Sequence, residues 1–158
     1  MAWSPEGTWL ASAGFVKGRG ELLVWDQQSG ERVRIFAGHG GVIYAIAWGP
    51  SENLLVSGGS DGMLRWWDVQ SGECVRVRKA HQGTIRSLRR SPDGSRLASC
   101  GDDGAITLWG LVSSEQLRTL RRDRPYERLT ITEIRGLTEA QKATLLALGA
   151  IEGAPVAG

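Results

Sequence analysis

The chain has 158 residues, 41% of them hydrophobic and 23% charged, with a formal net charge of +2. That length suits one domain or one domain plus a tail, and the composition excludes a disordered or collagen-like chain. The charge is too small to name a partner, no run of about 18 apolar residues offers a membrane-spanning helix, and the N-terminus MAWSPEGTWL lacks a secretory pattern. A soluble, cytoplasmic protein with no membrane contact is therefore expected. Cys74 and Cys100 lack metal-type spacing, so reduced, unpaired thiols are expected as well.

The compositional outliers are 22 Gly and seven Trp, beside two Phe and two Tyr. Trp25, Trp67 and Trp109 are each 42 residues apart, and the pairs His39/His81, Pro50/Pro92, Ser57/Ser99, Asp61/Asp103 and Gly62/Gly104 keep the same step. A fixed period of this length marks a repeat architecture. The first repeat, residues 1–37, is partial. MAWSPEGTWLASAG enters midway along a first strand, ELLVWDQQSG supplies the third strand and its turn, and ERVRIF the fourth. Between them Gly14 to Glu21 reads as a loop three residues longer than its counterparts, carrying Lys17 and Arg19 and lacking the Asp.

The second repeat, residues 38–79, holds four β-branched, aromatic or alternating runs: VIYAIAW, NLLVSGG, MLRWWDV and ECVRVR. GPSE, SDG and QSG separate them and carry the residues that tight turns need. The third, residues 80–121, repeats the layout with TIRSLRR, SRLASCG, AITLWGL and EQLRTL. Each full period predicts four short strands joined by hairpins, so residues 1–121 are expected to be all-β. Residues 122–158 form a tail, with a short strand expected over 126–131 and a helix over 138–148. Thr138 is its expected N-cap, Gln141 completes a capping box, and Gly149 is placed to end it. So short a helix needs something to dock on.

These residues resemble the WD-repeat family of β-propellers, built from four-stranded blades with GH near the start and WD ending the third strand. GH stands as Gly38-His39 and loosely as Ala80-His81; WD stands as Trp25-Asp26 and Trp67-Asp68, weakening to Trp109-Gly110. The resemblance covers about residues 1–121 and implies a partial propeller of about three blades. It also implies a hydrogen-bonded chain in each blade, from the Trp to the Ser to the His to the Asp. The matching sets are Trp67, Ser57, His39 and Asp61, and Trp109, Ser99, His81 and Asp103. The first blade offers Trp25 and Ser12 but no His, so its network is expected to be incomplete.

One His, one Ser and one Asp per repeat is also the raw material of nucleophilic hydrolysis. Two observations favour the structural role: a catalytic set has no reason to recur at a fixed step, and neither Ser lies in a G-x-S-x-G elbow. The glycine strings GHGG and SGGSDG lack the endings of phosphate loops, so no cofactor is expected. Arg76, Arg78, Lys79, Arg86, Arg89 and Arg90 form a basic stretch without acids. Alternation along strands divides them between faces and no aromatics interleave, which favours a solvated face over a nucleic-acid surface.

The resemblance implies a non-enzymatic protein-protein interaction scaffold whose contacts lie on one rim of the blades. By position the rim residues are Val42, Tyr44 and Ser60 in the second repeat and Thr84, Arg86 and Asp102 in the third. The ending RPYE…LTEAQKATLLALGA is similar to the tails of large bacterial multidomain signalling proteins. On that reading the chain is the C-terminal part of such a protein, with further blades upstream and a protein partner. Two alternatives stand beside it: self-assembly into a homo-oligomeric propeller, since three blades fall short of the usual four to eight, and a nucleic-acid-binding module using residues 76–90.

Overall fold

A computed structural model describes residues 1–121, 136–148 and 150. The chain divides into two compact units, residues 1–121 and residues 122–158. The first unit consists of three antiparallel sheets, each of four strands in sequence order. β1 (Ala2–Trp3), β2 (Trp9–Val16), β3 (Arg19–Asp26) and β4 (Arg32–His39) make the first sheet. β5 (Ile43–Trp48), β6 (Leu54–Gly59), β7 (Met63–Asp68) and β8 (Cys74–Lys79) make the second. β9 (Ile85–Arg90), β10 (Arg96–Gly101), β11 (Ala105–Gly110) and β12 (Gln116–Arg121) make the third. Every connection within a sheet is a hairpin, as the Gly- and Asp-bearing turns require. Gly62 and Gly104 take φ of 69° and 70° in equivalent turns, a conformation that costs glycine least.

Side chains alternate across each strand, so neighbouring residues serve different cores. Leu64 and Trp66 join Val56 against Leu97, Trp109 and Leu111 of the third sheet. Leu55, Trp67 and Val69 pack instead against Leu22, Val24 and Phe36 of the first. Within the first unit the second sheet is therefore covered on both faces, and the first and third are each covered on one. This explains why LLVSGG in β6 is apolar or small throughout and almost wholly buried.

Two features differ from the sequence reading. Gly14 to Glu21 is not a loop: β2 and β3 pair continuously from Trp9↔Asp26 to Val16↔Arg19. Lys17 and Gly18 close the hairpin with φ of 48° and 81°, two successive left-handed residues whose twist matches that of the flanking strands. The additional residues lengthen the ladder. The repeat boundary after residue 37 falls inside a strand, because β4 continues through Gly38 to His39, which pairs with Gly20. Glycine is needed at position 20, since a Cβ there would lie 2.3 Å from the Gly41 carbonyl oxygen.

In the second unit α1 spans Glu139–Ala147. Thr138 Oγ1 accepts from the Gln141 N–H at 3.3 Å, and Gln141 Oε1 accepts from the Thr138 N–H at 3.0 Å, closing the capping box. None of the helix residues is buried. The strand expected over 126–131 and the stop at Gly149 lie outside the described residues. Among the described residues no helix is long and apolar enough to cross a membrane.

Candidate functional site

Pairing within the second and third sheets sets each Ser beside its Trp strand, and the segment leading into each sheet adds the His: His39 from the end of β4 and His81 from the stretch between β8 and β9. In the third, Trp109 donates its indole N–H to Ser99 Oγ at 3.0 Å, and His81 Nε2 lies 2.8 Å from the same oxygen. His81 Nδ1 lies 2.8 Å from Asp103 Oδ1. One assignment satisfies every group: indole to hydroxyl, hydroxyl to Nε2, and Nδ1–H to carboxylate. In the second sheet Trp67 donates to Ser57 Oγ at 2.8 Å and His39 Nε2 lies 2.7 Å from it. Ser57, Ser99, His39 and His81 are all buried, so an unmet group here would cost about 1–3 kcal/mol.

The two networks differ at their charged ends. Arg65, 42 residues before Thr107, donates from Nη1 to Asp61 Oδ2 at 2.6 Å. The same nitrogen stands 2.9 Å from His39 Nδ1, and the His39–Asp61 distance is 3.1 Å, longer than in the third sheet. Burial and the Arg65 charge together hold the His39 pKa below its ordinary value, although Asp61 opposes them. Burial works against the Asp61 charge, but the Met63 N–H, Arg65 and His39 outweigh it, so its pKa is lowered. For Asp103, burial is likewise outweighed, here by His81 and the N–H groups of Gln82 and Ala105. The family resemblance, carried over by position, singled out the four residues of each set; Arg65 was missed because it does not recur.

The first sheet holds the Trp25 to Ser12 bond at 2.8 Å, and its imidazole, His39 at the end of β4, bonds to Ser57 of the second sheet and not to Ser12. A second recurring device, also missed from sequence, crosses between sheets. Arg34 on β4 donates from Nε and Nη2 to the carbonyls of Val69 and Gln70, at 3.3 and 2.8 Å. Arg76 on β8 donates from Nη1 to the carbonyls of Val112 and Ser113, at 2.9 and 2.8 Å. The signal was present, since Arg34 and Arg76 are 42 residues apart. Trp66 adds a buried bond across the second junction, donating to the Leu111 carbonyl at 2.8 Å.

Among the six rim positions, the side chains of Tyr44, Arg86 and Asp102 form a cluster, with the Thr84 side chain beside Asp102. Arg86 Nε and Nη2 contact Asp102 Oδ1 and Oδ2 at 2.7 and 3.0 Å, a two-pronged ion pair. The guanidinium carbon stands 5.3 Å from the centroid of the Tyr44 ring, in cation–π range. Tyr44 is 51% exposed. The Asp102 bond raises the Arg86 pKa, and the Arg86 bond lowers that of Asp102. Val42 and Ser60 are joined through backbone, Ser60 N–H to the Val42 carbonyl at 2.9 Å, and Thr84 accepts from the Asp102 N–H at 3.0 Å.

The basic stretch is divided by its local bonds. Arg90 donates to the Gly49 carbonyl at 2.7 Å, Lys79 to the Asp61 carbonyl at 3.2 Å and Arg78 to the Val77 carbonyl at 3.1 Å. With Arg76 and Arg86 occupied as above, Arg89 is the one member whose side chain makes no hydrogen bond among the described residues. Cys74 and Cys100 are free thiols, and burial raises the Cys74 pKa. Among the described residues no group of His, Cys, Asp and Glu is arranged to hold a metal ion.

Residues 30–68 and 72–110 each match the family described as WD domain, G-beta repeat. The two matches are themselves offset by 42 residues, and each runs from the turn before a fourth strand to the third strand of the next sheet. The chain is also 35% identical over 65 residues to the periodic tryptophan protein 2 homolog of Mus musculus. That similarity covers 41% of this chain and 7% of the length of that protein. The chain carries WD repeats, and its three four-stranded sheets fit part of a WD-repeat propeller.

Proposed function

We infer that the protein is a non-enzymatic scaffold that binds a protein partner through the rim at Tyr44, Arg86 and Asp102. WD repeats of this kind serve protein-protein interaction, which supports the class of function. The observation that carries the site is the Tyr44–Arg86–Asp102 cluster, in which an aromatic ring and a guanidinium on two different sheets are held together while exposed. Aromatic and Arg side chains dominate interface energetics. A pair already ordered by a carboxylate loses less conformational freedom on binding. The finer reading is that this scaffold works in the cytoplasm as part of a larger bacterial signalling protein, and the similarity of the tail is its support.

The His–Ser–Asp sets are read as structural, because each Ser hydroxyl is buried and already bonded to an indole and an imidazole. The test is a partner-binding comparison of the native chain with the double variant Tyr44→Ala, Arg86→Ala. Loss of a partner captured by the native chain, with an unchanged melting temperature, is the expected result. Equal capture by both would remove the rim from the account, and a fall in melting temperature would reassign the two residues to packing.

A further inference from the structure

The two sheet junctions in this chain use the same parts, and the two outward faces carry one half of those parts each. On the side facing the next sheet, Leu22 and Leu64 occupy equivalent positions and are both fully buried. The next 42-residue step is Ile106 on the third sheet, which is 44% exposed. Arg34 and Arg76 are likewise equivalent, each gripping two successive turn carbonyls of the following sheet, with the Arg76 grip one residue further along the turn. Their next step is Arg118 on β12, which is exposed and bonds to no described residue. The carbonyls that Arg34 grips belong to Val69 and Gln70, and one step back stand Gln27 and Gln28 in the β3–β4 turn of the first sheet. Both are exposed, and no described donor reaches their carbonyls.

The apolar parts match in the same way. Leu55 and Leu97, and Trp67 and Trp109, fill the receiving sides of the two junctions and are buried. Their counterparts on the first sheet, Leu10 and Trp25, are only half-buried. The His–Asp portion is missing from both halves at once. The first sheet has the Lys17–Gly18 turn where the others place Asp61 and Asp103, and the sequence step after His81 falls on Asp123. Joining the halves therefore calls for no buried imidazole.

We propose that the outward face of the third sheet docks on the outward face of the first sheet of a second copy of this chain, with Arg118 gripping the carbonyls of Gln27 and Gln28. Donor and acceptor halves are encoded in one sequence, so any population of this protein holds both in equal amount. The contact is heterologous, one face meeting a different face, and it repeats the geometry the chain already uses twice internally.

Sedimentation of the full chain across a wide concentration range tests the proposal. The expected result is a mass of two or more chains at high concentration. Arg118→Glu and, separately, Ile106→Glu are each expected to weaken association about tenfold or more. Both side chains are exposed, and circular dichroism checks that the sheets persist. Cys100 lies on the same face, paired with Ile106 in the β10–β11 ladder, and serves as a reporter. Its alkylation is expected to slow as the native chain associates and to stay fast in Arg118→Glu. A single-chain mass at the highest concentration overturns the proposal, as does association that both variants leave intact. Slow alkylation of Cys100 in a single-chain species overturns it too, by giving the face to another occupant.

Discussion

Positions 65 and 107 show how one side chain changes the chemistry of an otherwise repeated network. Thr107 leaves His81 and Asp103 alone together, whereas Arg65 enters between His39 and Asp61. After burial itself, the Arg65 charge is the second reason that folding favours the neutral imidazole of His39. A group whose pKa is depressed in the folded state stabilises fully above its unfolded value and loses that contribution as pH falls through the folded one. The His39 share is thus complete above about pH 6.5 and declines on acidification, followed below about pH 3.8 by the shares of Asp61 and Asp103. Arg65→Thr, which copies the third repeat, is expected to raise the His39 pKa. Titration of the imidazole signals by NMR reads this directly, and an unmoved or lower value would mean that burial alone sets it.

At the scale of elements, most strands were legible because alternation, β-branched runs and turn residues agreed within each period. The hairpin of β2 and β3 was not, although the Lys17-Gly18 dipeptide was in view. Comparison with the other repeats made the additional residues look like a loop, but two left-handed residues in succession let the ladder continue instead. Gly18 therefore carries a conformational requirement that the strands around it do not. Gly18→Val is expected to cost about 1–2 kcal/mol in a urea titration. A cost near zero would show that the turn rearranges and that β2 and β3 are not held by it. α1 was legible for the opposite reason: its capping box is local, and a T-x-x-Q spacing suffices to form it.

For the molecule as a whole, what matters is how one sheet meets the next, and here a single hydrogen bond can be weighed. Trp66 stands between Arg65 and Trp67, and alternation decides that its indole, not that of Trp67, reaches the Leu111 carbonyl in the third sheet. Trp66→Phe keeps most of the packing and leaves that carbonyl unmet, so a loss of about 1–3 kcal/mol is expected at equilibrium unfolding. An unchanged stability would show that water reaches Leu111 and that packing alone holds the junction. The recurring His, Ser, Asp and Trp were readable because the period displayed them and the family resemblance joined them into one chain of bonds, which it did not do for the equally periodic Arg34 and Arg76. Arg65 does not recur, and the Tyr44–Arg86 pair joins equivalent positions whose residue types differ, so the period pointed to the place and not to the contact.

The amino-acid sequence by itself determined the repeat, the strands within it, the turns that join them and the capping box of α1. All of these depend on residues close together in the chain, or on residue types repeated at one step. The tertiary structure decided which face of each strand is covered, which carbonyls Arg34 and Arg76 grip, where Arg65 stands relative to His39, and which rim side chains touch. Those outcomes depend on sheet stacking, which brings together residues from 26 to 45 positions apart, and no local pattern of residues specifies how two faces meet.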